Sequence, residues 1–430
     1  MLPRPGPRMN SVWTERGMPS LLATTLAGFA GFAVLLPIAP LWAVHGGADE
    51  GGAGLVNGVL LLVTVLTQLT VPATLRRFGW GPTLATGVTL LGLPALGHIM
   101  TDALAPTLAF AAVRGVGFGI LTVTGSAAVA ELAEPTKRGA AVGAYGLAIA
   151  VPQVILLPLG PWVAETIDFT PVFVLGALPL LGVWPALRLG RVMRERSREE
   201  DAALSAATAA AAPPVPTPDA PTTPAATEPT TLQVGLTLIR PMLMLLGVTL
   251  AGGAILTFAP QMIDHGLAVA GALVLMEAAA ATTRWRIGAI ADRYGPEPFL
   301  WPLVILTVIA MALAAWAVST TSLWLFLVAS LLLGIPYGAL QNLTLVISLG
   351  LVTRRHYGLA SATWNVGFDL GTGLGSVLVG AVAVSRGFPT ALTVAGMLAL
   401  LTLPLALRSP INRAGRRQGP SGTQLSSPSR

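Results

Sequence analysis

The chain has 430 residues, of which 53% are hydrophobic and only 10% charged, with a formal net charge of +6 and no cysteine. Soluble domains carry roughly 25% charged residues, so this composition excludes a water-soluble globular protein and indicates a membrane chain. Lack of thiols excludes disulfides, thiolate metal centres and cysteine nucleophiles. The basic residues fall in short loops between apolar runs, so membrane topology accounts for the positive charge and nucleic acid does not.

Residues 1–19 form a polar N-terminal segment with Arg4, Arg8 and Arg16. The apolar run that follows, near 20–43, exceeds the roughly 7–15 residues of a signal-peptide core and reads as a retained helix. A spanning helix needs about 20 apolar residues. Such runs recur near 54–75, 82–100, 104–130, 139–162 and 169–189, and again near 241–262, 267–291, 298–318, 322–348, 357–383 and 388–407. The period-two alternation of transmembrane strands is not sustained anywhere. The sequence therefore predicts an all-α membrane protein with twelve transmembrane helices in two pseudo-symmetric six-helix bundles, residues 20–200 and 233–410. Between them, residues 201–232 are rich in Ala, Pro and Thr and cannot bury enough apolar surface to offset their ordering entropy. A flexible linker is expected there, and a disordered tail at 411–430.

Charge alternates between loops. Arg76 and Arg77, Lys137 and Arg138, Arg188 to Arg198, Arg293, and Arg354 and Arg355 mark one side; Asp49, Glu50, Asp102, Glu165, Asp168 and Asp264 mark the other, where Arg386 is the one base. By the positive-inside rule both termini and the central linker are cytoplasmic. The halves also resemble each other: "RFGWGP" from Arg77 and "RYGPEP" from Arg293 follow the second helix of each half, and "RGVGFGILT" from Arg114 pairs with "LGIPYGALQ" from Leu333. Repeated bundles of this kind suit alternating access around a site near the midplane.

Ionisable groups at bilayer depth are costly and mark function by default. Arg114, Glu277 and Asp369 each fall about ten to twelve residues into a helix, roughly 15 to 18 Å deep at 1.5 Å per residue. A buried carboxylate changes its proton affinity as its surroundings change, so Asp369 first and Glu277 second are the expected proton-coupling groups, with Arg114 as a balancing charge. Arg284, two turns beyond Glu277 on the same face, is a candidate for the substrate cavity. Gln341, Asn342, Asn365 and Gln153 are uncharged polar groups within spans, able to bond substrate or a neighbouring helix. Trp364 and Tyr145 read as members of the interfacial aromatic belt. Gly115 with Gly119, and Gly371 with Gly375, have the spacing that lets helices approach closely. No G-x-x-x-x-G-K-[ST] loop is present, which argues against an ATP-driven pump. H-E-x-x-H and a second intramembrane Asp in G-x-G-D are also absent, so enzyme chemistry is not expected.

"GAIADRYGP", at the end of helix 8, carries Gly288, Asp292, Arg293 and Gly295. With the twelve-helix layout and long central loop, this stretch resembles the major facilitator superfamily, whose loop motif is roughly G-x-x-x-D-R-x-G. The first-half counterpart, "PATLRRFGWG", places Pro72 and Arg76 where that motif has Gly and Asp. "RGVGFGI" in helix 4 and "WNVGFDLGTGLG" in helix 11 are similar to patterns of bacterial efflux members, while "VPQVILLPLGP" in helix 5 is only weakly similar to the antiporter motif. The resemblance implies that Gly288, Asp292, Arg293 and Gly295 form a conformational gate. It also implies a monomeric secondary transporter of a bacterial plasma membrane, exporting small organic molecules in exchange for protons among membrane lipids. No cofactor or metal is expected, the proton gradient being the energy source. An importer or facilitator of sugars or other metabolites stays open as an alternative.

Overall fold

The computed structural model describes residues 15–132, 138–210, 231–353 and 356–407. Its described elements are all helical. Met18–Leu35 and Ile38–His45 form α1, bent at Leu36 and Pro37; Glu50–Gln68 is α2, followed by a short extension, Val71–Phe78. Trp80–Gly97 is α3, Leu104–Leu132 α4 and Arg138–Thr166 α5; α6 comprises Phe169–Gly176, a tight turn at Leu178–Gly182, and Val183–Ala210. The second half has Thr231–Met262 (α7), Gly266–Tyr294 (α8), Glu297–Ser319 (α9) and Leu323–Gly350 (α10). The last apolar stretch, Leu359–Leu407, runs 49 residues, about 70 Å as one helix against a hydrocarbon core of about 30 Å. Gly387, with φ 75° and ψ 163°, breaks it. The result is α11 (357–386) and α12 (388–407), and twelve spans among the described residues.

Two boundaries differ from the composition-based reading. Residues 201–210, expected to be linker, continue α6, and α7 begins at Thr231. "DAALSAATAA" is rich in alanine, the strongest helix former, so it extends a helix already nucleated. The rest of the expected linker, 211–230, and the tail beyond 407 lie outside the described residues.

Successive helices alternate in direction. Arg16, before α1, pairs with Glu195 near the end of α6, and the Arg196 guanidinium donates to the carbonyls of Glu131 and Leu132 at the end of α4, both at 3.2 Å. Arg240 near the start of α7 meets Glu297 at the start of α9 at 2.8 Å and the Leu405 carbonyl of α12 at 3.0 Å. These join on what we call the linker side. On the far side, Trp42 Nε1 donates to the Thr101 carbonyl at 2.9 Å and His45 meets Asp102 at 3.1 Å.

The halves meet along α2–α11 and α5–α8. Shifting each helix by six positions converts one pair into the other, as a two-fold-related repeat requires. The turns after α2 and α8 repeat even at backbone level, with Gly79 at φ 78° and Gly295 at φ 77°. Only glycine adopts that region readily. It lets "RFG" and "RYG" reverse the chain where an L side chain would be strained.

Small residues set the helix spacings. A Cβ on Gly115 or Gly119 of α4 would strike the backbone of α2 at Leu60 or Thr64, and one on Gly371 or Gly375 of α11 would strike α7 at Leu246 or Leu250. Gly334 and Gly338 seat α10 against α8 in the same way, on Met276 and Ala280. Gly338→Ala is therefore expected to destabilise the protein by about 1–3 kcal/mol, because backbone cannot move aside as a side chain does. Gly350→Ala, where a Cβ meets nothing within 4 Å, gains helix propensity and raises or preserves stability. Thermal unfolding midpoints in detergent compare the two.

Candidate functional site

Two helices carry the polar link between the halves, each on one face. In α2, Asn57, Leu61, Thr64 and Gln68 recur at helical spacing; in α11, Asn365, Asp369, Thr372 and Ser376 do the same. Asp369 is 3% exposed, and its Oδ2 accepts a 2.6 Å hydrogen bond from Gln68 Nε2. Gln68 Nε2 also lies 3.2 Å from Thr122 Oγ1 of α4. The carboxylate of one half is thus held by a neutral amide of the other.

Nearer the far side, a second link begins at the bend of α1. Pro40 has no N–H to offer the Leu36 carbonyl four residues back, and that carbonyl accepts from Asn57 Nδ2 at 2.8 Å. Asn57 Nδ2 also donates to Thr257 Oγ1 of α7 at 2.9 Å, and Thr257 bonds Ser376 of α11 at 2.7 Å. Around this chain α2 and α11 are nearly in backbone contact: a Cβ on Gly380 would lie 2.5 Å from the Glu50 carbonyl, and one on Gly373 3.1 Å from Leu61 Cβ. Among the described residues, the Asn57–Thr257 and Gln68–Asp369 bonds are the hydrogen bonds that cross between halves.

Glu277 lies on α8, 6% exposed. Arg284, two turns along, makes no ion pair with it; its guanidinium donates to Gln341 Oε1, and its carbonyl accepts from Asn342 Nδ2 at 3.0 Å. Gln341 and Asn342 of α10 therefore clamp Arg284 from both ends. Tyr337, 4% exposed on α10, lies one turn before Gln341 with its ring against Gly252 of α7. Its ring is 6.2 Å from that of Phe368, which stacks on Trp364 at 5.9 Å. Two acids, one clamped arginine and three aromatic rings thus share the inner faces of α8, α10 and α11.

Other expected site residues lie elsewhere. Arg114 is 1% exposed within the first half, its Nη2 3.4 Å from the Gly31 carbonyl of α1, and no carboxylate among the described residues pairs with it. Gln153 is partly buried on α5, and Asn365 Nδ2 bonds the Ser361 carbonyl of its own helix at 2.9 Å. Neither aromatic expected in the interfacial belt sits there freely. Tyr145 is buried, with its ring against Gly125 of α4, and Trp364 Nε1 donates to Thr344 Oγ1 at 3.1 Å. Of the motif at the end of α8, Gly288 borders Asn342, Arg293 is exposed with its guanidinium 5.2 Å from the Tyr294 ring, and the Gly295 N–H bonds the Ala291 carbonyl at 2.8 Å. The Asp292 side chain lies outside the described residues.

Gln68, Asn57, Thr257 and Tyr337 were not singled out from sequence. Gln68 satisfies the criterion that selected Gln341, a polar amide inside an apolar run, and its signal was therefore available. Tyr337 had none, since a tyrosine in a span is ordinarily core. Gln68→Leu removes the hydrogen-bond partner that Asp369 has among the described residues and is expected to cost about 1–3 kcal/mol, whereas Thr122→Val, which leaves that bond in place, costs less. Denaturation of the purified variants measures both.

A sequence profile described as the Major Facilitator Superfamily matches residues 21–349 and 287–428. No curated protein sequence matches the chain. Among solved structures, the chain is similar to a bacterial homologue of the human lysosomal transporter Spinster, captured inward-facing and unoccupied, at 14% identity and a TM-score of 0.69, with 91% of this chain and 95% of that one covered. It is also similar to a D-xylose–proton symporter, at 13% identity and a TM-score of 0.69, covering 91% and 96%.

Proposed function

The chain belongs to the major facilitator superfamily, and on that premise we propose that it is a proton-coupled secondary transporter that exports small organic molecules by alternating access. It is a multi-pass membrane transporter and not an enzyme. The observation that carries the proposal is the Gln68–Asp369 hydrogen bond: a nearly inaccessible carboxylate whose partner belongs to the opposite half.

Rocking one half against the other breaks that bond and changes the solvation of Asp369. A carboxylate so placed binds a proton in one state and releases it in the other. Glu277 is the second such group, with Arg284 held nearby by Gln341 and Asn342 as a fixed counter-charge. One proton moving down the membrane potential supplies about 2.3 kcal/mol per 100 mV, enough for a substrate gradient on the order of 50-fold. No nucleotide or metal is needed. Tyr337, Phe368 and Trp364 beside two acids suit an organic cation or zwitterion, which aromatic faces and carboxylates both attract. The outward direction is supported by the similarity of the α4 and α11 glycine patterns to efflux members. With the linker side read as cytoplasmic by the positive-inside rule, the contacts between α2 and α11 face outward, and the similarity to bacterial efflux members supports a bacterial plasma membrane.

In energised inside-out vesicles, an exported organic cation is expected to collapse the pH gradient with the wild-type protein. Asp369→Asn is expected to abolish that response, and Glu277→Gln to reduce it at least tenfold. Responses that survive both substitutions would refute proton coupling at these groups. Collapse by sugars in place of cations would favour the alternative substrate class.

A further inference from the structure

A cleft of about 410 Å³ opens on the linker side between the start of α1 and the end of α6, lined by Glu15, Arg16, Ser20, Arg188, Arg191 and Glu195 among others. It is remote from Asp369 and Glu277 and has no part in the coupling described above. Its acids and bases are not evenly matched. Arg16 takes both Glu195 and the adjacent Glu199, and Glu15 is 9% exposed and already engaged. Arg188 and Arg191 are exposed and make no ion pair among the described residues. Two guanidiniums are therefore left facing the cleft.

The same helix face continues into the membrane as apolar surface. Trp184, Arg188 and Arg191 follow one another at three- and four-residue spacing, so they form one stripe along α6, and Leu181 precedes it in the tight turn at Leu178–Gly182. Leu181 is 70% and Trp184 61% exposed. The Arg188 guanidinium sits 5.5 Å over the Trp184 ring. Within one stripe, then, apolar surface at hydrocarbon depth is followed by an indole at the interface and two bases at headgroup level.

We propose that this cleft binds the headgroup of an anionic phospholipid, its phosphate on Arg188 and Arg191 and its acyl chains along Trp184 and Leu181. A soluble phosphate would use the bases alone; only a lipid uses the whole stripe. Arginine suits the task because its planar fork bonds two phosphate oxygens at once. Trp184 both anchors the interface and holds Arg188 in place through the ring face.

The test uses the full-length protein in nanodiscs of phosphatidylcholine doped with phosphatidylglycerol, followed by native mass spectrometry of retained lipid. Wild type is expected to retain phosphatidylglycerol preferentially. R188Q/R191Q should lower that preference by about tenfold or more, the worth of a single hydrogen bond to a charged phosphate oxygen. R76Q/R77Q, which removes equal charge from the same side without touching the cleft, should leave it unchanged, and gel filtration checks that each variant is folded. Equal losses in the two double variants would reduce the effect to general surface attraction and overturn the site. No preference in wild type would overturn it as well. Thermal stabilisation by glycerol 3-phosphate equal to that by phosphatidylglycerol would assign the cleft to a soluble anion instead.

Discussion

Hydrocarbon offers no hydrogen-bond partners, so a polar group in a spanning helix is satisfied by the protein or is left unsatisfied at a cost of several kcal/mol. The arrangement of the two halves follows from how this chain meets that demand. Pro40 releases the Leu36 carbonyl, and Asn57 covers it; Asn57 lies on the face of α2 that meets the other half, so the same amide reaches Thr257. Residues of three helices thus carry a local backbone defect of α1 across to the second bundle. Gln68 lies three turns along the same face and does the corresponding task for Asp369.

Such bonds require backbones to come close, and small residues allow it. Where α2 meets α11, Gly54, Gly58, Gly373 and Gly380 remove the side chains that would otherwise hold the helices apart. Within the second half, Gly334 and Gly338 bring α10 onto α8, which is why Gln341 and Asn342 of α10 reach Arg284 of α8. Packing in the membrane lacks the hydrophobic drive of water. Close van der Waals contact and hydrogen bonds replace it, and both need the same short interhelical distance.

The asymmetry between the halves bears on function. Arg114 of the first half is buried without a carboxylate, while the acids Glu277 and Asp369 both belong to the second. The first half contributes the neutral donor Gln68, whose amide N–H also bonds the Thr122 hydroxyl oxygen. An acid bonded by a neutral amide has less to lose on separation than one in a buried ion pair, whose rupture leaves an uncompensated charge.

The sequence by itself determined the class of the molecule. Apolar run length set the twelve spans, loop charges set their alternation, and the glycines after Arg77 and Arg293 marked two turns that the backbone repeats at matching positive φ. The burial of Asp369, Glu277 and Arg114 was also legible, because each falls well inside a long apolar run. Which of these groups meet was not. Partnership depends on the rotation of each helix about its axis and on the distance between axes, and both are settled by small-residue contacts between segments 200 to 300 residues apart in sequence. Tertiary structure alone therefore separated Arg114 from the acids, turned Gln341 and Asn342 onto Arg284, buried Tyr145, and gave Asp369 its partner in Gln68.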